Sequence, residues 1–165
     1  MTLSDELPVD EILRRFDVAV ARLFRDDQYL LIHDVSERAV THKLGEYLQR
    51  LFPHWHVDCE YNRNRHEPKR VHLPDPGDQE AERYVSIYPD IIVHQRGAND
   101  RNLLIVEAKK ARDGRGDGEA RDRTKLVAYA RELDYTVGVF IVFPTGEGCD
   151  APCQRSYYHN GQWSG

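Results

Sequence analysis

Two apolar runs constrain this chain more than anything else in it. Asn102 to Lys109 reads NLLIVEAK and Thr136 to Phe143 reads TVGVFIVF. Both are expected to be strands, and the second is of the strongly apolar kind that is buried on both faces. Between them, Leu126, Val127, Ala130 and Leu133 recur at helical spacing within Glu119 to Leu133. Strand, helix, strand in that order predicts a parallel crossover of right-handed sense. A chain of 165 residues has room for about one domain.

The remaining elements are read around that centre. Pro8 to Phe24 is expected to be a helix, with Ile12, Leu13, Phe16, Val20, Leu23 and Phe24 at helical spacing and Pro8 in the first turn. A second helix is expected over Val35 to Leu51, stopped by Pro53, with Asp34 and Glu37 spaced as a capping box. His54 to Arg63 alternates as a strand does. Asn64 to Glu82, with four prolines or glycines among many charges, reads as a long loop. Tyr84 to Gln95 is expected to be one strand, joined to Asn102 by a hairpin turn over residues 96–101. Gly114, Gly116 and Gly118 mark a loop, Pro144 to Pro152 another, and Gln154 to His159 an edge strand. The order ααβββαββ predicts an α/β protein, a central mixed sheet flanked by helices, in one domain over residues 1–165.

Composition narrows the function classes. Hydrophobic residues are 40% and charged residues 31%, as in a folded rather than a disordered chain. No run is long enough for a transmembrane helix, and the acids Asp5, Glu6, Asp10 and Glu11 do not suit a signal peptide, so a cytoplasmic protein with no membrane partner is expected. Three cysteines are too few for a disulfide scaffold. A net charge of −5 speaks against coating nucleic acid by bulk attraction. Two stretches are locally basic, however. Residues 107–131 hold eight bases against five acids, and residues 61–72 hold Arg63, Arg65, Lys69 and Arg70 against Glu67. They are either solvated surface or places that hold phosphates.

The chemistry lies in SIYPDIIVHQ (86–95) and NLLIVEAKK (102–110). Side chains two apart share one face of a strand, so Glu107 and Lys109 point together, with Leu103 and Ile105 before them on that face. Asp90 follows Pro89, where a ladder must bend or end, and the hairpin lets it approach Glu107. Neighbouring carboxylates raise each other's pKa unless a cation sits between them. Oxygen donors without Cys or His suit Mg²⁺ or Mn²⁺. Such an ion polarises phosphate and activates water, and Lys109 could orient or deprotonate that water or neutralise developing charge. These are the parts of metal-assisted phosphodiester hydrolysis. The plainer alternative is an ordinary surface ion pair at a strand end.

With Pro89-Asp90 as the PD element and Glu107-Ala108-Lys109 as the (D/E)XK element, the chain resembles the PD-(D/E)XK nuclease superfamily, of restriction-endonuclease-like fold, over about residues 34–143. The resemblance implies that Asp90, Glu107 and the Ala108 carbonyl bind Mg²⁺ or Mn²⁺ and that Lys109 is catalytic. It implies a further glutamate on the preceding helix, best matched by Glu37, with Glu46 a weaker match and helix capping the alternative for Glu37. Lys125 matches a polar position on the following helix. Arg63, Arg65, Lys110 and Lys125 are candidates to hold a DNA backbone, with RNA the lesser expectation. A homodimer suits cutting two strands, and a recruiting protein partner suits the small size. The rival reading is a module of the same fold that binds nucleic acid or protein and does not cut.

Other signals are weaker. His54, His56, Cys59 and His66 match no firm zinc spacing, and Cys149 and Cys153 lack a second pair. His33 with Asp34 reads as a turn, and Tyr157 and Tyr158 read as strand packing rather than a base-stacking platform.

Overall fold

The two apolar runs are the middle of the sheet. In the computed structural model, which describes residues 7–63, 67–75, 77–98, 100–111 and 117–165, strands β5 (Asn102–Lys110) and β6 (Tyr135–Phe143) pair in parallel, with Glu107 opposite Phe140 and Lys109 opposite Val142. Helix α4 (Asp117–Glu132) joins them. On one side of β5, β4 (Ile91–His94) runs antiparallel to it and β1 (His56–Cys59) antiparallel to β4. On the far side of β6, β7 (Gln154–His159) and β8 (Gln162–Ser164) follow, both antiparallel. The result is a mixed α/β fold whose mixed sheet has the order β1-β4-β5-β6-β7-β8.

Each face of the sheet has its own apolar cluster. Helices α1 (Val9–Asp26), α2 (Gln28–Ile32) and α3 (Glu37–Leu51) supply Ile12, Phe16, Leu23, Leu31, Leu44 and Leu48 against Val93, Val106, Val139 and Ile141. On the other face α4 packs Leu126, Tyr129 and Leu133 against Ile92, Ile105 and Phe140. Gly138 allows this approach, since a Cβ there would lie 3.3 Å from Cγ of Leu126. A separate two-stranded sheet, β2 (Arg70–Asp75) with β3 (Asp78–Ser86), adds Val71 and Leu73 to the second cluster.

Several expectations need correction. The order is not ααβββαββ: α2 is an extra short helix, and there are eight strands among the described residues. Asn64 to Glu82 is not all loop, because β2 and most of β3 lie within it. Val71 and Leu73 face inward while Arg70, His72 and Pro74 face out, an alternation masked by charge and proline. Tyr84 to Gln95 is not one strand. It is the end of β3, a bend over residues 87–90 and then β4, and Pro89 accounts for the break because it has no N–H for the ladder. The first strand is confined to His56–Cys59, where Glu60 at φ 51° turns the chain. The cap of α3 is Ser36, whose Oγ accepts from the Ala39 N–H at 3.3 Å, and Glu37 is the first helical residue, so the Asp34–Glu37 capping box is absent. β7 is not the edge, because β8 covers it. Leu103 does not lie with Glu107. The register shifts between Val93 and His94, and Leu103 joins the cluster under α1 and α3 while Ile105 keeps to Glu107's side. Gly114, Gly116, Arg65 and His66 lie outside the described residues.

Candidate active site

The end of β4 places the first acid. Ile91 pairs with Val106, and the register carried one residue further sets Asp90 opposite Glu107. There the backbone ladder is replaced by a side chain: Oδ2 of Asp90 accepts the Ala108 N–H at 2.7 Å. A strand residue's N–H and C=O point to the same side, so the Ala108 carbonyl also faces the margin where Asp90 lies. Burial raises the Asp90 pKa; the Ala108 bond and Lys109 oppose that rise, and Asp122 and Glu60 add to it.

Glu107 is 7% exposed, and its Oε1 is buried without a hydrogen-bond partner among the described residues. Burial pushes its pKa well above the usual carboxylate range, and the charges of Asp90 and Asp122 push it further against Lys125 and Lys109. Lys109 is shifted the other way from an ordinary buried lysine. Burial would lower its pKa, but Glu37, Asp122 and Asp90 together raise it. Its Nζ lies 3.3 Å from Oδ2 of Asp122 and 3.9 Å from Oε1 of Glu37.

Asp122 was not foreseen as a site residue. It is 6% exposed, on α4, and bridges two ammonium groups: Oδ1 accepts from Lys125 at 2.8 Å while Oδ2 faces Lys109. Tyr129 is buried about two turns further along the same face, and its hydroxyl is held protonated by burial and by the charges of Glu107, Asp122 and Asp90. The signal in the sequence was position. Asp122 shares a helical face with Leu126, Tyr129 and Leu133, where a lone surface acid does not belong.

The other candidates divide. Glu37 reaches the site through Lys109, whereas Glu46 is bound to Lys43 at 2.8 Å on the helix surface. Lys110 is held by Asp34 at 3.1 Å, and Lys125 by Asp122, so both are internally paired. Arg63 is exposed. Lys69 is 2% exposed beneath Tyr61, its Nζ 4.7 Å from the ring centroid, and burial brings its pKa down to about 8. His56 accepts from the Arg96 N–H at 3.3 Å, and Cys59 contacts the Thr41 carbonyl. Tyr157 donates to Asp17 at 3.0 Å and Tyr158 is buried, as packing residues.

Among the described residues no three His, Cys, Asp or Glu side chains are gathered closely enough for a metal ion. Asp122 and Glu37 are turned to lysine. Asp90 and Glu107 remain as oxygen donors, with the Ala108 carbonyl beside them. The unpartnered Oε1 of Glu107 and the raised pKa of both acids fit a hard divalent cation, whose charge would relieve them.

No family model and no curated protein matches the chain. Among solved structures, the crystal structure of SSO0001 is similar over 98% of this chain and 71% of its own, at 14% identity and a TM-score of 0.45. A likeness of that size assigns no function. No helix among the described residues is long and apolar enough to cross a membrane.

Proposed function

We propose that this chain is a metal-dependent nuclease of the PD-(D/E)XK type, with a restriction-endonuclease-like arrangement of its sheet, hydrolysing phosphodiester bonds in DNA. The observation that carries the reading is the Asp90 to Ala108 hydrogen bond of 2.7 Å. It ties the first acid to the strand segment that holds Glu107 and Lys109.

In this reading Asp90, Glu107 and the Ala108 carbonyl hold Mg²⁺ or Mn²⁺. The ion supplies Lewis acidity toward phosphate and lowers the pKa of attacking water. Lys109 has its charge sustained by Glu37 and Asp122. It therefore serves as a donor that orients water or offsets charge on the phosphate oxygens, rather than as the base. Lys125 extends the same positive edge. Asp122 is a positioning residue, since it holds both ammonium groups. In the reaction water oxygen joins phosphorus, the bond to the departing sugar oxygen breaks, and that oxygen gains a proton from water.

The test is cleavage of plasmid, single-stranded DNA and RNA in Mg²⁺, Mn²⁺ or EDTA. Cleavage should require the metal and fall at least about a hundredfold in Glu107→Ala and Lys109→Ala, the scale of losing one electrostatic or acid–base group. Binding without cleavage in either metal would favour the non-cutting module instead.

A further inference from the structure

We propose that the outer face of the β2–β3 hairpin, continued through Tyr88, is a stacking track that leads one unpaired nucleic-acid strand to Asp90 and Glu107. The inference rests on the nuclease reading for its destination but not for its chemistry.

The hairpin has two unlike faces. Val71 and Leu73 are buried toward α4, while Arg70, His72 and Tyr84 face solvent. Tyr84 is 58% exposed and Tyr88 is 64% exposed. Single exposed aromatics are ordinary on protein surfaces, so exposure alone decides nothing. The surroundings of Tyr84 are less ordinary. His72, its cross-strand partner, stacks on it with ring centroids 4.8 Å apart and planes 26° from parallel. The Arg70 guanidinium lies 5.7 Å from the same ring. Glu132 of α4 fixes His72 from behind, accepting its backbone N–H at 3.0 Å and meeting Nδ1 at 2.9 Å. The platform is thus held in place before anything binds.

Aromatic faces interleaved with cations are the chemistry that takes successive unpaired bases and their phosphates. In a duplex the base faces are already stacked on one another, and such a surface has nothing to take. The platform also lies within reach of the site. Tyr84 precedes Asp90 by six residues, at most about 20 Å of extended chain. Tyr88 stands two residues from that acid. That length bounds the distance a bound strand has to cover between the Tyr84 platform and the two acids.

The experiment is fluorescence anisotropy in EDTA, where no metal-dependent cutting occurs. The probes are an oligothymidylate of about 15 nucleotides, near the upper footprint of single-strand-binding folds, and a duplex of equal length. The single strand should bind more tightly. Tyr84→Ala and Tyr88→Ala should each weaken it by about fivefold to a hundredfold, while Tyr84→Phe and Tyr88→Phe keep it within about twofold. Thermal melting should stay within a few degrees of the parent, since both side chains are exposed and Tyr84 gives up only its surface contacts with His72 and Arg70. Unchanged affinity in both alanine variants overturns the proposal. So does equal loss in the phenylalanine variants, tighter duplex binding, or no binding of either probe. If the tyrosine effects appear but no metal supports cleavage, the track stands and the nuclease reading falls. If metal-dependent cleavage occurs while the alanine variants bind normally, the nuclease reading stands and the track falls.

Discussion

Glu107 shows how a functional carboxylate works against the fold that holds it. It sits at the end of an apolar strand, with one oxygen lacking a partner among the described residues and a pKa raised first by burial and then by Asp90 and Asp122. Between the unfolded and the folded pKa, the folded chain keeps a proton that the unfolded chain has lost. Stability therefore falls as pH rises through that interval. Glu107→Gln removes the titration. Urea midpoints should show the variant more stable than the parent at about pH 8, with a smaller change between about pH 5 and about pH 8. At this scale the sequence was informative where side-chain direction follows from the backbone. Strand alternation put Glu107 with Lys109, and the proline put Asp90 at a ladder's end. For Asp122 its one signal, a place on the apolar face of the helix, was outweighed, because an acid among the many charges of residues 107–131 looks like solvated surface until the helix is docked.

Among the elements, α4 sets the positive edge of the site, and its distance from the sheet is fixed at Gly138. A Cβ there would come within 3.3 Å of Leu126, one residue from Lys125. Gly138→Val should cost about 1–3 kcal/mol through overpacking. It should also slow cleavage by displacing Asp122 and Lys125, as read from a thermal melt and a rate assay on the same preparation. Helices α1, α3 and α4 and strands β5 and β6 were legible because their apolar periods run unbroken, whereas the five-residue α2 is too short to show one. The β2–β3 hairpin was not. Its inner face is carried by Val71, Leu73 and Val85, separated by arginine, histidine, proline and acid, so composition outweighed period. Pro89 was recognised as a break, yet the strand was extended through it because Tyr84 to Val93 is apolar enough to mask the bend.

For the whole molecule, a cation that binds the folded state alone must stabilise it by mass action. At about a hundred times its Kd, Mg²⁺ should add about 2.7 kcal/mol, or about 5–10 °C in Tm for a chain of this size. The gain should be larger at alkaline than at acid pH, because Glu107 must release its proton first, and should shrink in Glu107→Gln. Calorimetry with and without Mg²⁺ checks it without any substrate. At the margin where β5 meets α4, Asp122 faces Lys109 and Lys125, and there the Asp90 carboxylate stands in for a missing rung between two strands. A carboxylate has two oxygens. The amide of Ala108 occupies one and so aims the other, which makes the backbone of β5 the alignment jig for whatever partner Asp90 takes up.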